Sequence, residues 1–203
     1  MTNLIDVWRE TAPARDQVAV AWAVRAALRA EQAHRARQSI ELVWTGPTPV
    51  ATPPRRTDQV LLEVIHGAQQ TLRVVTFVAY RVPAIQEALV EAAKRQIAIT
   101  IIVESAQVSE GKVAFDAITA LGAAVAAQAR VYIWPLEKRP RDAAGHHGSL
   151  HVKCAVADGT VLLVSSANLT EYALSLNMEL GLLVRSGDLP ARVTTHLDRL
   201  IEQ

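Results

Sequence analysis

Two almost wholly apolar runs in the middle of the chain constrain its fold more than any other feature. The runs Leu72–Ala79 and Ile97–Val103 are short and rich in β-branched residues, as is typical of strands buried on both faces. Asp58–Gln70 and Ala84–Arg95, which precede them, have apolar residues at helical spacing. Strands that alternate with helices are joined by long crossovers, which pair strands in parallel. The pattern therefore predicts an α/β fold with a mixed, mostly parallel β-sheet flanked by helices.

Weaker patterns on either side complete the predicted order of elements. An Ala-rich helix, Asp16–Gln38, comes first, and we expect residues 1–39 to form an N-terminal helical extension to a domain of residues 40–203. Asp158-Gly159 is a strong hairpin signal between two apolar runs. The further predicted strands are Ile40–Trp44, Arg130–Trp134, Leu150–Ala157, Val161–Ser165 and Asn177–Val184, and the further helices are Gly111–Leu121, Leu169–Leu174 and Asp188–Ile201.

Composition and charge exclude several classes of protein. The formal net charge is +1, so any anion must be met by a local patch rather than by a basic surface as a whole. A single cysteine, Cys154, excludes an intrachain disulfide and a thiolate zinc cluster, and it suits a reducing compartment. We find neither a signal peptide nor an apolar run long enough to cross a bilayer, and we expect a cytoplasmic protein with no membrane partner.

Chemistry-bearing residues cluster around the predicted hairpin. His151 and Lys153 are two apart on a predicted strand, so they share one face. The hairpin should return Ser166 and Asn168 to them, and the next strand can supply Glu179. Lys153 and Asn168 can donate to phosphate oxygens, Ser166 can add a hydroxyl, and an imidazole can attack phosphorus. Glu179 suits the acceptor that fixes the tautomer of His151.

These residues resemble the motif of the phospholipase D superfamily. The pattern H-x-K-x-x-x-x-D starts at His151 and includes Asp158, and a small–Ser–x–Asn turn and an N-x-E strand that ends at Glu179 follow it. The similarity extends from Val43 to the C-terminus. The segment V-W-T-G-P and the stretch S-L-H-V-K most resemble the phospholipase D-like component of DISARM-type phage-defence systems. Ser165 stands where the family usually has Gly, a change the turn tolerates unless it needs a positive φ.

The resemblance implies a function and an assembly. It implies a metal-independent phosphodiesterase without cofactors, a nuclease that acts on DNA or RNA through a phosphohistidine, in antiphage defence. Full family sites use two motifs, whereas this sequence has one, so the resemblance to single-motif endonucleases implies a homodimer. One His151 would be the nucleophile and the partner's His151 the general acid. Other defence-system proteins are further expected partners, and Asp158 is expected to have a structural role.

Ordinary structural interpretations compete with the functional ones. The dipeptide Asp158-Gly159 is also a common turn sequence, which needs no functional explanation. Asn168 or Thr170 could cap the short helix that follows them. His146 and His147 raise the question of a metal site. We discount it because no nearby carboxylate has ligand spacing and the family is metal-independent. Both histidines are expected to line the mouth of the site.

Basic loop residues are candidates for substrate binding, although they could equally be solvated charges. They lie in loops beside the predicted strands and could guide a phosphodiester backbone. Two other functions stay open: a phospholipase, for which no amphipathic, aromatic-rich membrane helix is evident, and a non-catalytic scaffold or nucleic-acid-binding subunit. The candidate substrate-binding residues are Arg55, Arg56, Arg81, Lys138, Arg139 and Arg141.

Overall fold

The computed structural model describes residues 17–48, 54–77, 82–104 and 122–202, together with Asp6 and Glu10. The chain divides into two compact units, Met1–Gln38 and Ser39–Gln203. The first unit contains helix α1 (Gln17–Arg37), on which the Arg25 guanidinium lies 5.3 Å from the ring centroid of an exposed Trp22.

The second unit is built on a seven-stranded sheet with helices on its faces. Its strands are β1 (Gln38–Thr45), β2 (Thr71–Thr76), β3 (Ala98–Val103), β4 (Arg130–Ile133), β5 (Cys154–Ala157), β6 (Val161–Ser165) and β7 (Glu179–Ser186). Its helices are α2 (Thr57–Gly67), α3 (Pro83–Lys94), α4 (Ala123–Ala126), α5 (Glu171–Ser175) and α6 (Leu189–Ile201), with a 3₁₀ turn at Leu136–Lys138. The strand order is β1-β7-β6-β5-β2-β3-β4.

The sheet is mixed, as predicted, but antiparallel pairs are more numerous than parallel ones. β3 lies parallel to both β2 and β4, whereas β5 lies antiparallel to β2 and β6, and β6 antiparallel to β7. The crossover through α3 makes β2 and β3 parallel, while the tight turn at Asp158-Gly159 can join only antiparallel neighbours. The predicted mixed sheet flanked by helices is thus confirmed, with parallel pairing among β2, β3 and β4 and antiparallel pairing in the hairpin half.

Apolar side chains cover both faces of the sheet, but unequally. On one face, α2 and α3 bury residues such as Ile65 and Leu89 against the sheet. On the other, Leu197 of α6 packs with a smaller cluster that includes Leu162 and Val184. The remaining members of that cluster are Val75, Ile102, Cys154 and Val156. α6 thus covers only part of its face.

Strand direction brings several chain segments to one edge of the sheet. β2, β3 and β6 end at this edge, and β5 and β7 begin there, because β5 and β7 run opposite to the other three. We call it the site edge, since His151, Lys153, Ser166 and Glu179 all lie next to these strand ends. Asp158, at the opposite end of β5, lies at the far edge.

The predicted elements match the described structure closely, apart from the start of β5, the short helix α4, which was not predicted, and one predicted helix that cannot be compared. β5 begins at Cys154 and not at Leu150, so His151 and Lys153 precede the strand. The physical reason is that the Leu150 amide donates to a side chain, the carboxylate of Glu104, and not to a neighbouring strand. The predicted helix Gly111–Leu121 lies outside the described residues.

Candidate active site

His151 and Lys153 are in direct contact at the site edge. The Lys153 Nζ lies 3.0 Å from His151 Nδ1 and 2.9 Å from the His151 carbonyl oxygen. The imidazole packs against Phe77, which directly follows β2, with 5.6 Å between ring centroids and 48° between ring planes. The same aromatic ring lies 5.9 Å from the Lys153 ammonium. Phe77 therefore forms an apolar wall beside both reactive groups.

The Lys153 ammonium is largely withdrawn from water. Lys153 is 7% exposed, whereas His151 is exposed to solvent. Burial lowers the pKa of Lys153 below its usual value, and the charge of Glu179 acts in the opposite direction. Among the described residues no carboxylate forms an ion pair with this lysine. A desolvated cation in this position favours an anionic ligand.

Glu179 is held by two neighbouring polar side chains. Ser166 Oγ donates to one carboxylate oxygen, and Asn177 Nδ2 donates to the other at 3.2 Å. Ser166 Oγ also accepts the Leu180 amide at 3.1 Å, so both ends of its hydroxyl are engaged. Within the described part of the chain no hydrogen bond joins Glu179 to His151 of the same chain. Glu179 is thus held in place and acts on Lys153 through its charge.

Asn168 does not cap helix α5. Thr170 is the residue that caps α5, because its hydroxyl accepts the Ala173 amide at 3.1 Å. The amide oxygen of Asn168 is buried and, among the described residues, has no hydrogen-bond partner. Of the two possible caps, Thr170 therefore takes the role, and Asn168 retains unused hydrogen-bonding capacity next to the site.

Comparison with known proteins identifies the family. A family model described as "Cardiolipin synthase, PLD-like domain" matches residues 61–201. The chain belongs to the phospholipase D-like family. The matched span includes every site residue described above, and the resemblance inferred from the motif is confirmed. Membership supports a phosphoryl-transfer enzyme.

A curated relative and solved structures are also similar to this chain. The DISARM protein DrmC of Bacillus paralicheniformis is 30% identical over 149 residues, 73% of this chain. The phospholipase D-like chain spans 58% of the length of that curated relative. NucT from Helicobacter pylori has the same fold, with a TM-score of 0.65 and 18% identity over 81% of this chain and 96% of that one. Nuc from Salmonella typhimurium, a phospholipase D family member, gives a TM-score of 0.59 and 19% identity over 82% and 95%.

Asp158 of the phospholipase D-like motif is bound to backbone and lies away from the reactive groups. Its two carboxylate oxygens accept the amides of Gln69, Gln70 and Thr71, each at 2.8 Å. Burial raises the pKa of this carboxyl, but the three amide donors outweigh it, and the pKa is lowered. Asp158 thereby ties the β5–β6 hairpin to the start of β2 at the far edge.

Ser165 stands where the phospholipase D-like family usually has a glycine. A glycine on the neighbouring strand makes room for its side chain. Ser165 is paired with Gly181 and does not have a positive φ. A Cβ at Gly181 would lie 2.8 Å from the Val164 carbonyl oxygen and 3.3 Å from Ser165 Cβ. The Ser165 hydroxyl accepts the Ala167 amide at 3.1 Å, which adds a hydrogen bond to the turn. Gly181, directly opposite Ser165 on the neighbouring strand, therefore provides the space that a glycine at position 165 would otherwise provide.

The basic candidates are not all available to a substrate. The Arg139 guanidinium is fully buried against Glu104, which contradicts the predicted role in phosphate guidance. Arg55 is bound to Glu63, in a cluster that also contains Glu41 and Arg185. Carboxylates from other elements neutralise these two arginines, so neither guanidinium is free to bind a phosphate.

The other basic candidates remain at the surface or are not described. Arg56 makes two hydrogen bonds to Asp58, at 3.0 and 3.1 Å, on an exposed part of α2. Lys138 and Arg141 have exposed side chains in the loop after β4, so their predicted role stays a prediction. Arg81 lies outside the described residues.

The described part of the chain shows no donor set for a metal ion. No group of three or more His, Cys, Asp or Glu side chains within it has a suitable arrangement. His146 Nδ1 instead pairs with Asp142 at 3.0 Å, and Asp142 organises its own loop by accepting two backbone amides.

No helix in the described ranges is long and apolar enough to span a bilayer.

Two residues that the sequence analysis did not select contribute to the site. Phe77 packs on the imidazole, and Glu104 binds the Leu150 amide directly before His151. Both are the first residue after a buried parallel strand, β2 and β3, at the edge where α/β sheets place their ligands. That position was a usable signal for both residues.

Proposed function

We propose that the chain is a metal-independent phosphodiesterase, a nuclease that cleaves DNA or RNA through a phosphohistidine at His151, in antiphage defence. The observation that carries the proposal is the desolvated Lys153 ammonium, which contacts His151 and has no carboxylate ion-pair partner among the described residues. A phosphodiester placed there would supply the missing negative charge and bring phosphorus to the imidazole. The resemblance to single-motif endonucleases and the DISARM relative support the nucleic-acid substrate and the defence role.

The proposed reaction has two displacements. His151 Nε2 forms a bond to phosphorus while the bond to the leaving oxygen breaks, and a general acid protonates that oxygen. Water then attacks phosphorus, the same acid group now acting as base removes the water proton, and the P–N bond breaks. Lys153 and Asn168 donate to the non-bridging oxygens as charge develops on them. The site of one chain holds a single histidine at its centre, so we assign the acid to His151 of the partner subunit.

An exposed apolar strip beside the site supports self-association. Val164 and Leu182 are directly paired on the face that α6 covers only in part, and they are 45% and 46% exposed. Their neighbours on the same face, Leu162 and Val184, lie under α6 and are buried. Further exposed apolar residues at this end of the sheet are Val152 and Leu180. We propose that a second copy covers this strip, which would bring two site edges together.

The chemical proposal is tested with a simple diester. Purified protein should hydrolyse bis-p-nitrophenyl phosphate in excess EDTA, and His151→Ala should abolish this activity. His196→Ala, a variant of an exposed histidine on α6, is the matched control and should retain full activity. Loss of wild-type activity in EDTA would refute the metal-independent mechanism.

Self-association is tested by charge insertion. Leu182→Glu should convert a dimer to a monomer in sedimentation velocity and should lose activity, because the partner's histidine is then missing. Leu200→Glu, at a 50% exposed leucine on α6, should remain dimeric and active. A wild-type monomer with full activity would refute the shared site.

A lipid diester is the second candidate substrate. The description of the matching family model names cardiolipin synthase, and part of phosphatidylserine synthase from Haemophilus influenzae has a similar fold, with a TM-score of 0.57 and 17% identity over 80% of this chain and 38% of that one. Exposed Tyr172, Leu176 and Met178 near the site could contact a bilayer surface. Parallel assays on oligonucleotides and on anionic liposomes separate the two substrates. Unchanged phage restriction by His151→Ala would instead favour the non-catalytic scaffold.

A further inference from the structure

The segment that carries His151 is held at two points outside the sheet ladder. On the C-terminal side, the Lys153 carbonyl accepts the Ser165 amide at 3.1 Å. On the N-terminal side, the Leu150 amide donates to Glu104 Oε2 at 2.7 Å. His151 lies between these anchors and is solvent-exposed, so its backbone position depends on both. The second anchor is a side chain that is 46 residues away in sequence.

Glu104 is well suited to act as a fixed point. It directly follows β3, which is paired on both sides, and the residue is 1% exposed. Its other carboxylate oxygen binds Arg139, whose side chain is 0% exposed. Arg139 also donates to the Trp134 carbonyl from Nε at 3.2 Å and to the Gly148 carbonyl from Nη1 at 3.2 Å. The arginine thus closes the loop between β4 and His151 at both ends.

We propose that Glu104 and Arg139 are positioning residues that set the place of His151 relative to phosphorus. The inference rests on the proposed function, since it treats His151 as the attacking group. Neither residue needs to touch the substrate. Glu104 acts through the Leu150 amide, and Arg139 acts by holding Glu104 and the loop that leads to Leu150.

A buried ion pair is weak evidence for stability alone, because desolvation offsets much of the attraction. Its value here is directional, since one carboxylate oxygen binds the guanidinium and the other accepts the Leu150 amide. Displacement of a reacting group by about 1 Å can cost on the order of 100-fold in rate. Loss of this anchor should therefore affect catalysis more than substrate binding, because Lys153 and Asn168 still contact the phosphate.

The test compares Glu104→Gln and Arg139→Lys with a matched ion pair elsewhere. Glu104→Gln places an amide donor against the guanidinium, and Arg139→Lys keeps the charge but loses the fork that reaches two carbonyls. Both should lower kcat by on the order of 100-fold with KM nearly unchanged. The double variant Glu104→Gln/Arg139→Gln, which restores a complementary amide pair, should recover part of kcat. The control is Asp198→Asn, which breaks the pair with Arg73 at 2.7 and 2.8 Å between α6 and β2, and it should keep wild-type kcat.

A second readout does not depend on activity. Amide hydrogen exchange should show Leu150 protected in the wild type and in Asp198→Asn but exchanging faster in Arg139→Lys, while the amides of β3 stay protected. Should the wild type lack diesterase activity, the proposed function fails and this exchange pattern still tests the anchor. Wild-type kcat in a folded Glu104→Gln, or an unprotected Leu150 amide in the wild type, would overturn the inference.

Discussion

The Lys153 ammonium lies 3.0 Å from Nδ1 of His151, inside hydrogen-bond distance of the ring that it is expected to assist. An ammonium can only donate, so Nδ1 accepts, and a neutral imidazole then keeps its hydrogen on Nε2. Attack on phosphorus by Nε2 needs the opposite tautomer. The arrival of a phosphodiester should therefore draw Lys153 onto the phosphate oxygens and release Nδ1, so that substrate itself activates the nucleophile.

Replacement of Lys153 by methionine should separate activity from stability. Lys153→Met keeps an apolar stem but removes the charge that stabilises the developing negative charge, and kcat should fall by about 10³-fold. Because burial disfavours the charged form of Lys153, the free energy of unfolding at pH 7 should rise. Lys94→Met, at an exposed lysine of α3, should change neither quantity. A large loss of stability in Lys153→Met would contradict the desolvation argument.

The pH dependence of activity should reveal the coupling between Lys153 and Glu179. Lys153 must be protonated to bind phosphate, and burial lowers its pKa below 10.5, so the alkaline decline of kcat/KM, which reports the free enzyme, should begin below that pH. Glu179 raises this pKa, so Glu179→Gln should move the alkaline limb to lower pH. The contribution of Lys153 to the free energy of unfolding changes with pH in the opposite direction to the activity. Between the folded pKa and 10.5 the unfolded chain binds more protons, so the contribution of Lys153 to stability increases with pH.

The control for this profile is Glu171→Gln, which removes an exposed carboxylate on α5. Its alkaline limb should coincide with that of the wild type. A limb in Glu179→Gln that stays in place or moves to higher pH would show that the carboxylate does not act on Lys153 through its charge.

Changes at Asp158 should affect stability and leave the chemistry intact. Asp158→Asn loses one of two acceptor oxygens and should cost about 1–3 kcal/mol in urea unfolding at pH 7. Asp158→Ala should cost more, because Ala offers no acceptor and tolerates the φ of 53° less well than Asn. The pKa of Asp158 is lowered in the fold, so its stabilisation is present above pH 3.8 and is lost as the pH falls through the folded pKa.

The acid-side loss of stability should accordingly be smaller in Asp158→Asn than in the wild type. Activity per folded molecule, measured well below the denaturation midpoint, should remain near the wild-type level. A folded Asp158→Asn with strongly reduced kcat would indicate that Asp158 acts on the substrate after all.

Cys154 should be chemically inert in the native protein, although it follows Lys153 directly. Burial raises the pKa of its thiol to about 11, so little thiolate exists at pH 8. Iodoacetamide at that pH should label the urea-unfolded chain quickly and the native chain slowly, as followed by mass spectrometry. Equal rates in the two states would contradict the burial of the thiol.

Local patterns were sufficient to predict most elements of the fold. The period of apolar residues identified α2, α3 and α6, and Asp158-Gly159 identified the β5–β6 hairpin, because these signals depend on near neighbours in sequence. The start of β5 could not be predicted in this way. Leu150 leaves the ladder because of a carboxylate 46 residues away, and no local propensity encodes that bond.

Contacts among the candidate site residues were predictable where motif spacing fixed them and unpredictable where long-range pairing decided them, and the catalytic roles of these residues stay predictions. His151 and Lys153 contact each other, and Ser166 binds Glu179, as their positions around the hairpin suggested. Arg139 looked like a solvated loop cation but is buried, since its partner Glu104 is 35 residues distant. The expected contact of Glu179 with His151 of the same chain is replaced by bonds to Ser166 and Asn177.

The placement of Asp158 at the far edge has a practical consequence for capturing the natural substrate. The hairpin is secured at one end by backbone bonds that no active-site substitution disturbs. An inert His151→Asn variant should therefore retain the fold together with Lys153 and Asn168. Such a protein could be used as bait, retaining its uncleaved target long enough for crosslinking and sequencing.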